Sequence, residues 1–204
     1  MSLLITEANL MELNVISTEV YGTFKPGEYL RLDGTFWGEL SPAEAIPDLD
    51  KAARNDQGLV EYSTSFMLIV PKDPRQGNGT LLVDLPNRGL PSSHYLYNSP
   101  RDNPLPVGSF DIGNGFLENH GFAIASVQWE LGRGINQPTF TDEQGQTRYI
   151  EGVALAAIRD FFDYIRNSPN ILPGLKAPLS QAIARVQGVG WSKNVSYWKM
   201  TSNH

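Results

Sequence analysis

The distribution of hydrophobic and polar residues predicts a β-rich first half. Residues 29–40, 60–71 and 80–86 are rich in β-branched and aromatic side chains and are bounded by Gly, Pro and Asn. We expect the first two segments to be antiparallel neighbours. The third, TLLVDLP, is almost continuously apolar, which is typical of a strand that is covered on both faces of an α/β sheet.

The second half alternates strand and helix patterns. Further buried strands are predicted at FAIASVQW (122–129) and ARVQGVGW (184–191). A short helix is expected over 111–121, ending at Gly121, and a longer one over 151–167. The longer helix places four apolar side chains on one stripe: Val153, Ala157, Phe161 and Ile165. This alternation favours βαβ units and a parallel sheet.

A long polar segment separates two of the predicted strands. Residues 87–111 are loaded with Pro and Ser, and the segment is too long for a simple connection. It predicts a functional loop over one end of the sheet.

Composition narrows the function classes. The 204 residues carry a formal net charge of -6 and no basic cluster, which argues against nucleic-acid and acidic-membrane partners. The absence of cysteine removes disulfides, thiolate metal sites and a cysteine nucleophile together. No apolar run approaches the roughly 20 residues that span a bilayer. Glu7 and Glu12 interrupt any secretory hydrophobic core, so the expected location is the cytoplasm.

Three phrases carry a family resemblance: ARNDQGLVEYSTSF, PKDPRQGNGTLLVDLPNRG and DIGNGFLENHGFAIASVQWE. They resemble a largely uncharacterised branch of the α/β-hydrolase superfamily with a β-rich N-terminal leader. The resemblance runs from about Gly27 to Ser192. It implies a leader over 1–26 and a partial hydrolase domain over 27–204. The implied fold is α/β, with a mixed, mostly parallel sheet that is truncated after the fifth strand and the nucleophile elbow.

Within that resemblance, 80–86, 122–129 and 184–191 correspond to the third, fourth and fifth hydrolase strands. The fifth strand leads into Gly190-Trp191-Ser192, the first half of a G-x-S-x-G elbow. Ser192 is therefore the candidate nucleophile, against the alternative of a helix N-cap. The chain departs from the family after this point, because Asn194, Val195 and Ser196 stand where a small residue and Gly-Arg are expected.

The same resemblance implies an oxyanion hole. Asn87, Arg88 and Gly89 occupy the place of the loop that donates one oxyanion N–H, and Lys193 would donate the second. The alternative for Asn87–Gly89 is a plain β-turn.

The partners of Ser192 are harder to find. No Asp or Glu follows it, and His204 lies about 18 Å along a helix at 1.5 Å per residue. His120 is expected at the opposite edge of the sheet. His94 follows the third strand, at the same edge as Ser192, and is the less favoured candidate base.

The expected function is that of a serine esterase of the α/β-hydrolase type. In the complete form Ser192 attacks a small-molecule ester, with no cofactor and no metal, while the chain as written is expected to be inactive. One alternative is a non-catalytic fragment or a binding module that uses the 87–111 loop. A weaker alternative is a carbohydrate-binding β domain, suggested by Trp37 and Tyr62. We also expect self-association through an exposed fifth strand, 184–191.

Overall fold

The computed structural model describes residues 11–167. The strands are β1 (Met11–Phe24), β2 (Gly27–Leu40), β3 (Val60–Pro71), β4 (Leu81–Asp84), β5 (Ala123–Val127), β6 (Ile135–Asn136), β7 (Thr139–Thr141) and β8 (Thr147–Tyr149). The α-helices are α1 (Ser93–Tyr97), α2 (Phe116–Asn119) and α3 (Gly152–Asn167). Short 3-10 turns occur at Leu49–Lys51 and Pro74–Gln76.

One mixed sheet organises the described part of the chain. Its strands follow the order β1-β2-β3-β5-β4, and the short strand β6 pairs with β3 beside this path. Strand β5 is antiparallel to β3 and parallel to β4, with Leu82 opposite Ile124 and Val83 opposite Ala125. Strands β7 and β8 form a separate hairpin. Among residues 11–167, β4 therefore has a sheet neighbour on one side only.

The expectation of a mostly parallel sheet is wrong for the described residues. The pairs β1–β2, β2–β3, β3–β5 and β3–β6 are antiparallel, and β4–β5 is the parallel pair. Strands β1 and β2 are joined by only Lys25 and Pro26, and so short a link permits only an antiparallel pair. The connection from β4 to β5 is long and contains α1 and α2, which satisfies the requirement of a parallel crossover.

Apolar side chains cover both faces of the sheet. On β3, Phe66, Leu68 and Val70 belong to the larger core cluster, whereas Met67 and Ile69 belong to a second cluster. This alternation follows from the two-residue period of a strand. Helix α3 packs in the larger cluster, and Leu117 of α2 packs in the second. A mixed sheet with helices at both faces is an α/β arrangement.

Several sequence predictions are confirmed by this fold. The strands predicted at 29–40, 60–71, 80–86 and 122–129 correspond to β2, β3, β4 and β5, and β2 and β3 are antiparallel neighbours. The stripe of four apolar residues on α3 is buried. The helix expected over 111–121 is shorter, at Phe116–Asn119, because Gly113 and Gly115 take positive φ before it.

Two other features were not predicted or fall on residues that the structure does not describe. The predicted leader contributes β1, which pairs along its length with β2 in the same sheet. The predicted strand 184–191 lies outside the described residues. Within residues 11–167, no helix is long and apolar enough to cross a membrane.

Candidate functional site

The carboxyl end of β4 leads directly into a tight turn, Asn87–Leu90. The Asn87 N–H donates to the Leu90 carbonyl, and the Leu90 N–H donates to the Asn87 carbonyl, both at 3.0 Å. The two central residues have positive φ, 54° at Arg88 and 74° at Gly89. Positive φ at both central positions is the mark of a type I′ turn. Glycine adopts it freely, whereas arginine requires support from its surroundings.

That support comes from the residues that follow β5. The backbone N–H of Arg88 donates to Oε1 of Glu130 at 2.6 Å. The indole N–H of Trp129 donates to the carbonyl of Pro86 at 2.7 Å. The Gln128 side chain contacts the Gly89 carbonyl at 3.5 Å, which is a weak bond at best. The segments after two neighbouring parallel strands are thus tied together at one edge of the sheet.

A buried carboxylate orders the start of the loop after the turn. Both Oδ atoms of Asp84, the last residue of β4, accept from backbone N–H groups, with Oδ2 lying 2.9 Å from Ser92 N and 2.7 Å from Ser93 N. These amides open helix α1, where N–H groups have no partner within the helix. The Asp84 side chain therefore holds α1 against the end of β4.

The interior behind α1 contains a hydrogen-bonded network around His94. Nε2 of His94 lies 2.8 Å from Oε1 of Glu118 on α2, and Nδ1 lies 3.2 Å from Oγ of Ser93. The second oxygen of Glu118 accepts from Nδ2 of Asn98 at 2.8 Å, and Oδ1 of Asn98 accepts from the Leu117 amide at 2.9 Å. His94, Asn98 and Glu118 have no solvent-exposed surface. The network joins α1 to α2.

Aromatic rings enclose this network. The rings of Tyr21 and Phe110 meet the His94 imidazole edge-on, with centroids 6.1 Å and 5.2 Å away. The Tyr21 hydroxyl donates to the Phe110 carbonyl at 2.6 Å. Burial, reinforced by the Glu118 carboxylate, raises the pKa of Tyr21 and of the fully buried Tyr29 above the ordinary range. These surroundings keep water away from the His94–Glu118 pair.

The predicted site residues divide into two groups. The turn Asn87–Gly89 lies at the carboxyl end of β4, where the prediction placed it, and it is also the β-turn of the alternative reading. Ser192 and Lys193 lie outside the described residues, so their contacts with this turn stay a prediction. His94 follows β4 as expected, but it has no solvent-exposed surface and lies within a network formed with Ser93 and Glu118. That placement weighs against His94 as a catalytic base.

The remaining candidates are His120, Trp37 and Tyr62. His120 is exposed, and its ring lies tilted against that of Phe116, to whose carbonyl its Nδ1 is bonded. It comes just before β5 and so lies at the opposite edge from the turn. Trp37 is 44% exposed, but Tyr62 is only 1% exposed. Because Tyr62 pairs with Gly38, the neighbour of Trp37, the two rings are on opposite faces of the sheet. They cannot form one carbohydrate platform.

Sequence reasoning missed the residues that hold the site together. Glu118, Asn98 and Glu130 are scattered along the chain, and their spacing matches no motif. Glu118 could have been suspected, since the short helix pattern GFLENHG puts an acid next to the apolar Leu117 on the side that packs against the sheet.

Comparison with protein-family models, curated proteins and solved structures gave no match.

Proposed function

We propose that this chain carries the N-terminal part of a serine esterase of the α/β-hydrolase type. The observation that carries the proposal is the Asn87–Leu90 turn at the carboxyl end of β4, with positive φ at both central residues. The resemblance puts an oxyanion-binding loop at this place. A backbone N–H there would stabilise the negative oxygen of a tetrahedral intermediate.

The strand arrangement supports the same proposal. The resemblance makes β4 the third hydrolase strand and β5 the fourth, with the fifth on the other side of the third. Strands β4 and β5 are parallel neighbours, and within residues 11–167 the other side of β4 is unpaired. A fifth strand at 184–191 could pair there, and Ser192 would then follow it at the edge that carries the turn.

The proposed chemistry is acyl transfer to water. Oγ of Ser192 forms a bond to the ester carbonyl carbon, its proton passes to a base, and the alcohol leaves with a proton. Water then bonds to the acyl carbon and gives a proton to the base, the bond between that carbon and Oγ breaks, and Oγ regains a proton as the carboxylic acid is released. Since no Asp or Glu follows Ser192 in this chain, the proposal takes the acid and the histidine from outside these 204 residues.

An extended protein tests this proposal. Because the resemblance stops abruptly after Ser192, codons read in another frame after codon 192 are expected to encode Gly-Arg, an amphipathic helix, and later an acid and a histidine. A protein in which that reading replaces 193–204 should hydrolyse p-nitrophenyl acetate, and Ser192→Ala should abolish the turnover. If no frame supplies such a continuation, or if Ser192→Ala leaves turnover unchanged, the proposal is wrong.

A second candidate is a binding module that uses the 87–111 loop. Three consecutive side chains of α1 are exposed and largely apolar: Tyr95, Leu96 and Tyr97. Exposed apolar patches often mark interaction surfaces. In this case Leu96→Ser should lower the binding of an apolar dye such as ANS. The esterase proposal assigns no role to Leu96.

A further inference from the structure

Three of the four backbone N–H groups in the Asn87–Leu90 turn donate hydrogen bonds within the described residues. The amides of Asn87 and Leu90 bond across the turn, and the amide of Arg88 bonds to Glu130. Within residues 11–167, the Gly89 amide has no acceptor. A backbone N–H that has no acceptor within the protein donates to water or to a ligand. Gly89 is therefore the open donor of this turn.

The Arg88 amide is in a different position. Its acceptor is a carboxylate oxygen at 2.6 Å, and hydrogen bonds to charged acceptors are stronger than neutral ones. A substrate oxyanion would have to displace Glu130 to use the Arg88 N–H. The Glu130 carboxylate instead fixes Arg88 in the positive-φ conformation that presents the neighbouring Gly89 amide.

Trp129 secures the residue that precedes the turn. Its indole N–H bonds to the carbonyl of Pro86, immediately before Asn87. Trp129 and Glu130 are consecutive, and their bonds fall on either side of Asn87. Two points of attachment determine the direction of a short turn better than one. Trp129 and Glu130 follow β5, and β5 is hydrogen-bonded to β4. Their bonds therefore hold the turn in a fixed position relative to the sheet.

We propose that Trp129 and Glu130 are positioning residues that hold the Asn87–Leu90 turn so that Gly89, rather than Arg88, is its oxyanion donor. The donor role of Gly89 rests on the proposed function. The positioning by Trp129 and Glu130 does not, because it depends only on contacts within the described residues.

Amide hydrogen exchange of the full chain, followed by NMR, tests this proposal. In the unsubstituted protein, the Arg88 amide and the Trp129 indole N–H should exchange slowly, and the Gly89 amide should exchange fast. Glu130→Ala should accelerate exchange at Arg88 by about tenfold or more, through loss of a bond to a charged acceptor. Glu130→Gln should keep most of the protection, since its amide oxygen can still accept the bond. Glu143→Ala, which removes an exposed acid from the turn between β7 and β8, is the matched control and should change nothing at Arg88.

Each result decides the proposal. Protection at Arg88 that survives Glu130→Ala, or that is lost equally in Glu130→Gln, would overturn the positioning role of Glu130. Slow exchange at Gly89 would overturn its assignment as the open donor. Exchange needs no turnover, so an extended protein that failed to hydrolyse p-nitrophenyl acetate would count against the proposed function and leave the positioning role of Glu130 standing.

Discussion

The Nε2 atom of His94 lies 2.8 Å from Oε1 of Glu118, and neither side chain has any solvent-exposed surface. The pair joins the two short helices that lie within the crossover between β4 and β5. A general base must reach the proton it removes, directly or through one water. The bonds of His94 to Ser93 and Glu118 give it a structural role in the described part of the chain instead.

Replacing His94 should therefore destabilise the fold. His94→Ala leaves the Glu118 carboxylate buried without one of its donors and opens space beneath Tyr21. A loss of about 3 kcal/mol in the free energy of unfolding is expected, as for other broken buried pairs. Urea denaturation followed by tryptophan fluorescence measures it.

His120→Ala is the control for that measurement. This histidine is exposed, and surface substitutions usually change stability by less than about 0.5 kcal/mol. If both variants unfold at the same urea concentration, the network around His94 does not stabilise the protein.

A second buried pair makes stability depend on alkaline pH. The Tyr62 hydroxyl donates to Oδ2 of Asp160 on α3 at 2.7 Å, and burial together with the Asp160 carboxylate raises the pKa of Tyr62 far above its usual value. The unfolded chain releases this proton near pH 10, while the folded chain keeps it. Stability from this group is therefore complete below pH 10 and falls as the pH rises, by up to about 1.4 kcal/mol per pH unit.

The measurement is the urea midpoint at pH 8 and at pH 11. Tyr62→Phe should be less stable at pH 8 by about 1 kcal/mol, through loss of the hydrogen bond, and should show a smaller decline toward pH 11. Tyr97→Phe, at an exposed position, should decline as the unsubstituted protein does. An identical decline in Tyr62→Phe would contradict the assigned shift.

Local pattern was enough to predict the long elements. Strands β3 and β5 are apolar runs buried on both faces, and α3 buries one apolar stripe. Short windows of sequence are enough to reveal each of these patterns. The direction of strand pairing was harder to predict from the sequence. The two-residue link at Lys25 and Pro26 gives an antiparallel pair, but the predicted leader was not recognised as a strand.

The candidate site was predicted only in part. The resemblance puts a loop at Asn87–Gly89, with a plain β-turn as the alternative, and a tight turn lies there. Its attachment to Trp129 and Glu130 joins residues about 42 positions apart. The His94–Glu118 bond likewise spans 24 positions. Such contacts depend on which strands become neighbours, and no local pattern encodes them.

The chain as written should show no esterase activity that depends on Ser192. No acid follows Ser192, and His94 is fully buried in its network with Ser93 and Glu118. Release of p-nitrophenol from p-nitrophenyl acetate should be equal for the unsubstituted chain and Ser192→Ala. Turnover that disappears in Ser192→Ala would return His94 to consideration as a base.

The central claim is that Ser192 lies beside the Asn87–Leu90 turn, and a distance measurement tests it most directly. The chain has no cysteine, so paired substitutions can carry spin labels without background. Ser192→Cys combined with Arg88→Cys reports the distance to the turn, and Ser192→Cys combined with His120→Cys reports the distance to the opposite edge. The first distance should be shorter by about 13 Å, the rise of four steps along β5. A label at 192 that lies as near to position 120 as to position 88, or nearer, would contradict the account.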